Sequence, residues 1–518
     1  MAKTKTAAQQ RGYYVRLSLA GAFVLFVIGY TWTNHGYLSL SLVVAAAFGA
    51  YMAINIGAND VANNVGPAVG ARAMRLLTAV AIAAFFEAAG AIIAGGAVVG
   101  TVGSGIIDPS RLRDPDSFVW LMMAALLGGA LWLNIATALG APVSTTHSIV
   151  GGVLGAGIAA SGWSIANWDT VGRIALSWVI SPVLGGVIAA LFLFVIKHGI
   201  TYQTDMVRAS QRMVPVLIGA MGWAFSTFLI VKGLTRVVTV DPYVAVGVGA
   251  GIGVVSFIGS RARLRTIAKS MSNGKKGVNA LFGLPLIFAA ALLSFAHGSN
   301  DVANAIGPLA AVYNSLLTNS IGAGADIPFW VMAVGALGLA VGLALYGPKL
   351  IKTVGTEITD MDNMRAYSIA MAAAVTVILA SQLGLPISTT HVTIGAVFGI
   401  GFLREHLKAN YRRIIAKIEK HHEHQGRSPD EIKAFLHEFE TAAIKEKGRI
   451  LKSLAKSRKR GKTKITKKEQ KKLRKVYQES LVKRAVILRV VAAWLVTVPG
   501  TAVLSALIYY TIRGMLLP

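Results

Sequence analysis

The chain has 518 residues, of which 54% are hydrophobic and only 14% are charged. It contains no cysteine, which excludes disulfide bonds, thiolate metal sites and cysteine nucleophiles. The net charge of +28 would favour a nucleic-acid partner in a soluble protein. Here most of the charge lies between apolar stretches, above all in Arg404–Arg484, so we expect no nucleic-acid binding.

Apolar stretches of about 18–25 residues, the length that a helix needs to cross a bilayer, recur along the chain. Examples are Leu17–Trp32, Leu76–Val99, Phe118–Leu139, Ile174–Ile196, Pro215–Val231, Leu281–Phe295, Phe329–Leu345 and Val486–Ile508. Spanning segments must be helical because lipid cannot satisfy free backbone polar groups. We therefore predict an all-α polytopic membrane protein in a lipid bilayer, with about 12–13 transmembrane helices.

The N-terminal segment MAKTKTAAQQRGYYVR is basic and precedes the first apolar stretch. No small-residue cleavage site follows that stretch, so we predict a retained helix rather than a signal peptide. Residues 1–36 then form a basic segment and an extra transmembrane helix. Because basic segments mark the cytoplasmic side, the N-terminus is expected inside.

Two polar motifs interrupt the apolar sequence. The first is GANDVANNVGPAVGA, Gly57–Ala71, and the second is HGSNDVANAIGPLAAV, His297–Val312. Their shared polar residues are Asn59, Asp60 and Asn63 in the first copy and Asn300, Asp301 and Asn304 in the second, 241 positions later. The basic loops imply that the chain crosses the membrane in opposite directions at the two copies.

A second pair of motifs follows in the same order. LGAPVSTTHS begins at Leu139 and LGLPISTTHV at Leu383, and a weaker pair, TVGSGI and TVGTEI, begins at Thr101 and Thr353. Ordered echoes with opposite crossing directions predict an inverted-topology repeat. We expect a first repeat over 37–200, linking helices over 201–277, a second repeat over 278–403, a basic helical cytoplasmic insert over 404–484 and a C-terminal transmembrane helix over 485–518.

Carboxylates inside membrane spans are costly unless they are paired or functional. Gly and Pro follow each Asn–Asp pair, which predicts a broken helix whose carbonyl end, with Asp and Asn oxygens, binds a hard cation such as Na⁺. Glu87 lies inside another span without a basic neighbour. We predict that the cation, Na⁺ or H⁺, binds Asn59, Asp60, Asn300, Asp301 and Glu87. The alternative is that these residues only cap half-helices and hold the bundle together.

The STTH motifs predict an oxyanion pocket. Pro142 and Pro386 are expected to open helices, which places the following hydroxyls beside free N–H groups. The predicted substrate residues are Ser144, Thr145, Thr146, Ser388, Thr389 and Thr390, with Asn63, Asn304 and Gln382. Ordinary N-capping is the alternative for the hydroxyls. The segments after the two prolines are either spans or re-entrant hairpins.

Four further polar residues have less specific interpretations. His147 and His391 are gates, proton sites or orienting partners, or histidines bonded to neighbouring backbone groups. Thr376 and Ser381 are expected to bond back to helix carbonyls. The sequence has neither a phosphate-binding loop of the nucleotide-hydrolase type nor a dinucleotide fingerprint, so we expect no enzyme activity and no cofactor, and transport driven by an ion gradient.

The motif pairs resemble those of the inorganic phosphate transporter (PiT) family over roughly 51–403. The resemblance implies symport of inorganic phosphate by a homodimeric inverted-repeat bundle in the plasma membrane, the inner membrane in a bacterium. It implies phosphate and cation sites at the Asn and Asp residues of both copies and at the Ser–Thr–Thr segments. It also matches Glu87 to a membrane glutamate of the family. GANDVAN with PISTTH resembles the sodium-coupled branch. The extra N-terminal helix and the late insert depart from the family pattern.

Several alternatives stay open. The coupling ion can be H⁺, carried by Glu87 in a proton-coupled symporter of phosphate or metal phosphate. The substrate can be another oxyanion such as sulfate, although phosphate alone can donate a hydrogen bond to a carboxylate at neutral pH. A channel or receptor with the insert as its signalling part is the remaining class. The insert itself is a solvated helical hairpin, a lipid-surface contact or a sensor of phosphorylated metabolites.

Overall fold

The computed structural model describes residues 7–138, 143–233, 240–321, 327–357, 361–422 and 484–516. Nearly all of these residues are helical, and the strand-like pairing among them is one isolated antiparallel bridge between Ile107 and Ala166. The predicted all-α architecture is confirmed. The predicted basic helical insert over 404–484 begins within the helix that ends at His422, and 423–483 lie outside the described residues.

The helices in chain order are α1 (Ala7–His35), α2 (Leu40–Gly70), α3 (Leu76–Ala94), α4 (Gly96–Gly100), α5 (Pro115–Ala138), α6 (Thr145–Ser161), α7 (Trp168–Ile196), α8 (Met206–Lys232), α9 (Pro242–Ala268), α10 (Lys275–Leu281), α11 (Gly283–Asp301), α12 (Ala303–Thr318), α13 (Phe329–Glu357), α14 (Asn363–Gln382), α15 (Thr389–His422) and α16 (Arg484–Leu516). Eleven spans within the described ranges are long and apolar enough to cross a membrane, with α11 and α12 counted together. The chain is therefore a multi-pass membrane protein.

Several helices begin at side chains that the sequence provides for capping. Asn167, Asp205, Asp241 and Asp362 each accept a hydrogen bond from a first-turn N–H, at the starts of α7, α8, α9 and α14. Such caps satisfy donors that have no partner within the helix. They fix where these helices start after short polar connections.

The helix through the first polar motif is not broken at Asp60, which corrects the expectation from sequence, whereas in the second motif α11 ends at Asp301. α2 runs through Asp60 to Gly70 with Pro67 inside it. Between α11 and α12 only Val302 intervenes, and its φ of −58° and ψ of −32° are helical. A proline removes one backbone hydrogen bond to the carbonyl four residues earlier, and membrane helices tolerate this loss. The prolines therefore modify these helices without ending them.

Longer non-helical segments lie before the two helices that begin at the STTH motifs. Ser144 is the N-cap of α6 in an extended conformation, and Leu383–Ser388 is non-helical before α15. Pro386 therefore precedes the first turn of α15 by a few residues, and Pro142 is outside the described ranges. α6 has only 17 residues and returns Ser161 to the start of α5, where its Oγ donates to the carbonyl of Arg111 at 2.7 Å. The start of α5 and the end of α6 thus lie close together, which both the spanning and the re-entrant interpretation allow.

The two halves pack reciprocally. α2 contacts α13, and its repeat mate α11 contacts α3. A Cβ at Gly57 would collide with the carbonyl oxygen of Leu339, and a Cβ at Gly298 with that of Glu87. Because Gly57 and Gly298 are equivalent in the two motifs, Leu339 and Glu87 occupy equivalent places. The glycines permit this close backbone approach.

α16 occupies the place in one half that α7 occupies in the other. α7 contacts α14 and α15, whereas α16 contacts α5 and α6. A Cβ at Gly155 of α6 would collide with the backbone of Ala502, and one at Gly399 of α15 with that of Gly186. We infer that the second repeat extends through α16, so that the basic insert lies within this repeat.

The polar centre lies between two apolar clusters. Along α2, buried residues up to Ile56 belong to one cluster and those from Val61 onward to the other. Along α11 and α12 the order is reversed, with the change between Ala296 and Val302. The two polar motifs therefore cross the same boundary in opposite directions, as an inverted repeat requires.

Candidate functional site

Four helices, two from each half, bring their polar motifs together. α2 contributes Asp60 and α11 contributes Asp301, and the first turns of α6 and α15 contribute Thr145 and Thr390. All four side chains are buried. Residues 330 positions apart in the chain are thus in direct hydrogen-bond contact at the centre of the bundle.

The two carboxylates share hydroxyl donors. Asp60 accepts from Thr145 Oγ1 at 2.9 Å through Oδ2 and from Thr390 Oγ1 at 2.7 Å through Oδ1. Asp301 Oδ2 lies 3.1 Å from the same Thr145 hydroxyl, and its Oδ1 has no hydrogen-bond partner. A threonine hydroxyl has one proton and donates to one acceptor at a time. Asp60 is therefore better satisfied than Asp301.

Crossed amide contacts connect the halves. Asn63 Nδ2 of the first repeat donates to Thr390 Oγ1 of the second at 2.8 Å. Asn304 Nδ2 of the second donates to Thr146 Oγ1 of the first at 3.1 Å. These pairs are equivalent under the repeat. They bring the predicted substrate residues of both halves into one centre.

The predicted cation residues Asn59 and Asn300 hold the segments before α6 and α15. Asn59 Nδ2 donates to the carbonyl of Val143 at 3.0 Å. Asn300 Nδ2 donates to Leu385 O at 3.1 Å, and its Oδ1 accepts from the N–H of Ile387 at 3.2 Å. Each amide thus fixes an interruption of a hairpin next to the aspartate that follows it in sequence.

The serines of the STTH motifs cap their helices. Ser144 Oγ accepts from the N–H of His147 at 3.2 Å, and Ser388 Oγ accepts from the N–H of His391 at 3.3 Å. Capping uses a lone pair of the hydroxyl, and the Ser144 hydroxyl also lies 2.8 Å from His147 Nδ1. The hydroxyl of Thr389 is buried without a hydrogen-bond partner. Two helix N-termini, with their first-turn N–H groups, therefore adjoin the carboxylates.

Glu87 belongs to a polar contact that extends the centre to one side. Its Oε1 accepts from Asn64 Nδ2 at 2.6 Å and lies 3.1 Å from His297 Nδ1. His297 Nε2 lies 3.4 Å from Asp301 Oδ2 and 3.8 Å from Asp60 Oδ2. His297 was not predicted from the sequence as a residue of this centre. A comparison of the motif copies could have identified it, because the equivalent residue of the first copy is Ile56.

The remaining predicted polar residues have different positions. Thr376 donates back to Ala372 O at 2.8 Å, as expected, whereas Ser381 accepts from Asn300 at 2.9 Å and so joins the centre. Gln382 ends α14 and is only half-buried. The rings of His147 and His391 are 4.8 Å apart, and His147 stacks on Trp178.

The charge of the centre constrains its chemistry. Within the described ranges the buried charged side chains include Asp60, Glu87 and Asp301, but no lysine or arginine. Buried carboxylates need a compensating cation or proton, and hydroxyl and N–H donors at helix N-termini favour an anion. With its many spans and this enclosed polar centre in an inverted repeat, the molecule is a helical membrane transporter.

Comparison with known proteins gives the family. The family model of the phosphate transporter family matches residues 56–505, and the chain belongs to that family. It is therefore a transporter and not an enzyme.

Relatives of known name cover between 73% and 95% of the chain. A "Putative phosphate permease" of Helicobacter pylori strain J99 is 50% identical over 499 residues, which are 95% of this chain and 93% of the relative. A similarly named permease of Pyrococcus furiosus is 40% identical over 377 residues, 73% of this chain and 90% of its own length. A solved structure described as "The sodium-dependent phosphate transporter" is 30% identical, with a TM-score of 0.74, and the match covers 92% of this chain and all of that one.

Proposed function

We propose that this chain imports inorganic phosphate in symport with Na⁺. The observation that carries the proposal is the contact of two aspartates with hydroxyls of both STTH turns at one buried centre. Phosphate transport is supported by the family and by the names of the relatives. Na⁺ coupling is supported by the sodium dependence of the structural neighbour and by the abundance of hard oxygen donors.

The proposed cation ligands are the side chains at the aspartates: Asn59, Asp60, Asn300, Asp301 and Glu87. The proposed phosphate donors are Asn63, Asn304, Ser144, Thr145, Thr146, Ser388, Thr389 and Thr390, and Gln382 is the weakest candidate because it is the most exposed of the set. Phosphate carries one to two negative charges near neutral pH, and no buried lysine or arginine within the described ranges offsets them. Co-bound Na⁺ would reduce the cost of moving the anion into this centre.

The carboxylates also bear on the identity of the anion. Monohydrogen phosphate and dihydrogen phosphate donate hydrogen bonds, which a carboxylate oxygen such as Asp301 Oδ1 can accept. Sulfate has no proton to donate at neutral pH and would meet only repulsion there. We therefore propose phosphate in preference to sulfate.

The membrane placement follows from the basic segments. We propose a location in the plasma membrane, the inner membrane of a bacterium, with the N-terminus and the 404–484 insert in the cytoplasm. Homodimer formation remains a prediction from the family resemblance.

Uptake of radiolabelled phosphate into proteoliposomes tests the proposal. We expect an inward Na⁺ gradient at constant pH to drive uptake, a K⁺ gradient to be ineffective and excess sulfate to compete poorly. Phosphate binding should tighten as Na⁺ rises, and by reciprocity phosphate should tighten Na⁺ binding by the same factor. Uptake that ignores Na⁺ and follows an imposed pH gradient would reject Na⁺ coupling and transfer the role to protons on the carboxylates.

A further inference from the structure

One side of the polar centre has polar side chains whose equivalents on the other side are apolar. On that side Glu87 of the first repeat contacts both Asn64 of the same repeat and His297 of the second. Their equivalents under the repeat are Ile56, Leu339 and Ala305, which are apolar. A role shared by both halves, such as closing the bundle, does not require this polar set. The set therefore points to a ligand that binds on one side.

The geometry around His297 fits a metal ligand supported by a carboxylate. Its Nδ1 lies 3.1 Å from Glu87 Oε1, and its Nε2 lies 3.4 Å from Asp301 Oδ2 and 3.8 Å from Asp60 Oδ2, while neither buried ring nitrogen has a hydrogen-bond partner among the described residues. Metal-binding histidines commonly donate their second ring N–H to a carboxylate, which fixes the tautomer and exposes a lone pair on the other nitrogen. Asn64 and the close contact of the Glu87 backbone with Gly298 hold that carboxylate in place.

We propose that Asp60, Asp301 and His297 form a binding site for a divalent transition-metal ion of the Zn²⁺ class. The three donor atoms lie within 4.8 Å of one another. Ligand atoms around a tetrahedral Zn²⁺ are roughly 3.3 Å apart, so the observed separations need only a small contraction. Three protein ligands leave the fourth position to the nearby Thr145 hydroxyl or to a phosphate oxygen.

The imidazole decides which ion the site selects. Na⁺ prefers oxygen donors, whereas an imidazole nitrogen suits Zn²⁺, Co²⁺ and Ni²⁺. The site shares Asp60 and Asp301 with the proposed Na⁺ ligands, so the inference rests on the proposed function in that respect. A divalent ion held by both aspartates excludes Na⁺ from them and connects α2 to α11. Zn²⁺ should therefore inhibit phosphate uptake, and higher Na⁺ should relieve the inhibition.

Co²⁺ binding to the purified full chain tests the site, since Co²⁺ replaces Zn²⁺ and its visible absorption reports the ligands. The protein is prepared without a histidine tag, and His406, His421, His422, His424 and His437 are replaced by Gln to remove metal binding by the insert. We expect one Co²⁺ per chain, displaced by Zn²⁺ and weakened by rising Na⁺. His297→Gln should abolish the absorption, and Glu87→Gln should lower Co²⁺ affinity 10- to 100-fold. The matched control is His391→Gln, another buried histidine, which should leave Co²⁺ binding unchanged.

The outcomes separate this proposal from the proposed function. Absence of Co²⁺ binding, or binding that is unchanged in His297→Gln, overturns the metal site; a protonated His297 that merely pairs with the carboxylates gives the first result. Co²⁺ binding that His297→Gln abolishes but that rising Na⁺ does not weaken keeps the metal site and rejects Na⁺ binding at the same aspartates. Na⁺-driven phosphate uptake is measured separately in chelator-treated proteoliposomes. Its failure would reject the proposed function and leave the Co²⁺ result standing.

Discussion

The two halves of the molecule have the same framework, but the polar centre between them has different side chains on its two sides. Both insert a glycine against a carbonyl of the opposite half, and both direct an asparagine to a threonine of the other STTH turn. His297 of the second repeat and Glu87 and Asn64 of the first have apolar equivalents in the other repeat. The shared contacts are those that hold helices together, whereas the unshared side chains form a series of contacts that reaches the aspartates through His297. The residues that the repeats share therefore determine the architecture, and those that differ determine which ions the centre can bind.

The aspartates themselves differ in the same direction. Asp60 accepts two threonine hydroxyls and lies 3.2 Å from Asn59 Nδ2, whereas Asp301 is close to Thr145 alone and to His297. An unsatisfied buried carboxylate oxygen is costly and gains most from a cation. Asp301 is thus the aspartate more available to an ion, and Asp60 the one more involved in joining the helices.

The largest expected effect is from removing either charge. Asp60→Asn and Asp301→Asn should each abolish Na⁺-driven phosphate uptake, because each removes a proposed cation ligand. Asp60→Asn should also lower the thermal unfolding temperature more than Asp301→Asn, since the Asp60 carboxylate accepts more hydrogen bonds. Uptake in proteoliposomes and unfolding in detergent are the measurements. Wild-type uptake in both variants would reject the cation assignment, and loss of folding in both would indicate a purely structural role.

The threonines give the next largest effect. Thr145→Val and Thr389→Val preserve shape and remove a donor, so each should raise the half-saturation concentration for phosphate about five- to 150-fold, equivalent to about 1–3 kcal/mol. Thr389 has no hydrogen-bond partner in the protein, so Thr389→Val should leave the unfolding temperature unchanged. Thr145→Val should also weaken Na⁺ binding, because this hydroxyl contacts both aspartates. An unchanged half-saturation concentration for phosphate in both variants would mean that these threonines only stabilise the helix starts and do not bind phosphate.

The symmetric glycine contacts permit a matched test of the framework. Gly57→Ala and Gly298→Ala should each lower the free energy of unfolding by about 1–3 kcal/mol, because each added methyl meets a backbone carbonyl of the opposite half. Only Gly298→Ala should also reduce uptake, since the displaced carbonyl belongs to Glu87. Gly172→Ala is the control, because a Cβ there has no neighbour within 4 Å. Equal effects of the two variants on uptake would contradict the asymmetry.

The features that could be predicted from the sequence are those that apolar periodicity and repeated motifs determine. The apolar stretches and the two motif pairs were sufficient for the helical class and for the family. The helix break at Asp60 was wrong because a proline frees one carbonyl without ending a membrane helix. The contact of Asp60 with Thr390, 330 positions away, depends on tertiary packing, and no local pattern specifies it.

His297 was not predicted for a different physical reason. His297 stands in the same motif as Asn300 and Asp301, but its significance depends on Glu87, which another helix presents. A comparison that keeps only the residues common to both motif copies excludes His297, because the other copy has Ile56 at that position. The place of α16 was also missed, because its sequence lacks the two signature motifs and only its packing identifies it with α7.

The smallest expected effect is from the basic insert, which one half carries and the other lacks. The Pyrococcus relative is matched over 90% of its length by only 73% of this chain, so the family's transport core is shorter than this protein. Both signature motifs lie outside the insert, so deletion of Gly426–Lys475 should leave basal Na⁺-driven uptake unchanged. The basic residues should instead govern the response to anionic lipid, at about 1 kcal/mol per Lys or Arg near the surface. Uptake and vesicle binding are measured with and without phosphatidylserine, and a deletion that folds and inserts but cannot transport would show that the insert belongs to the transport core.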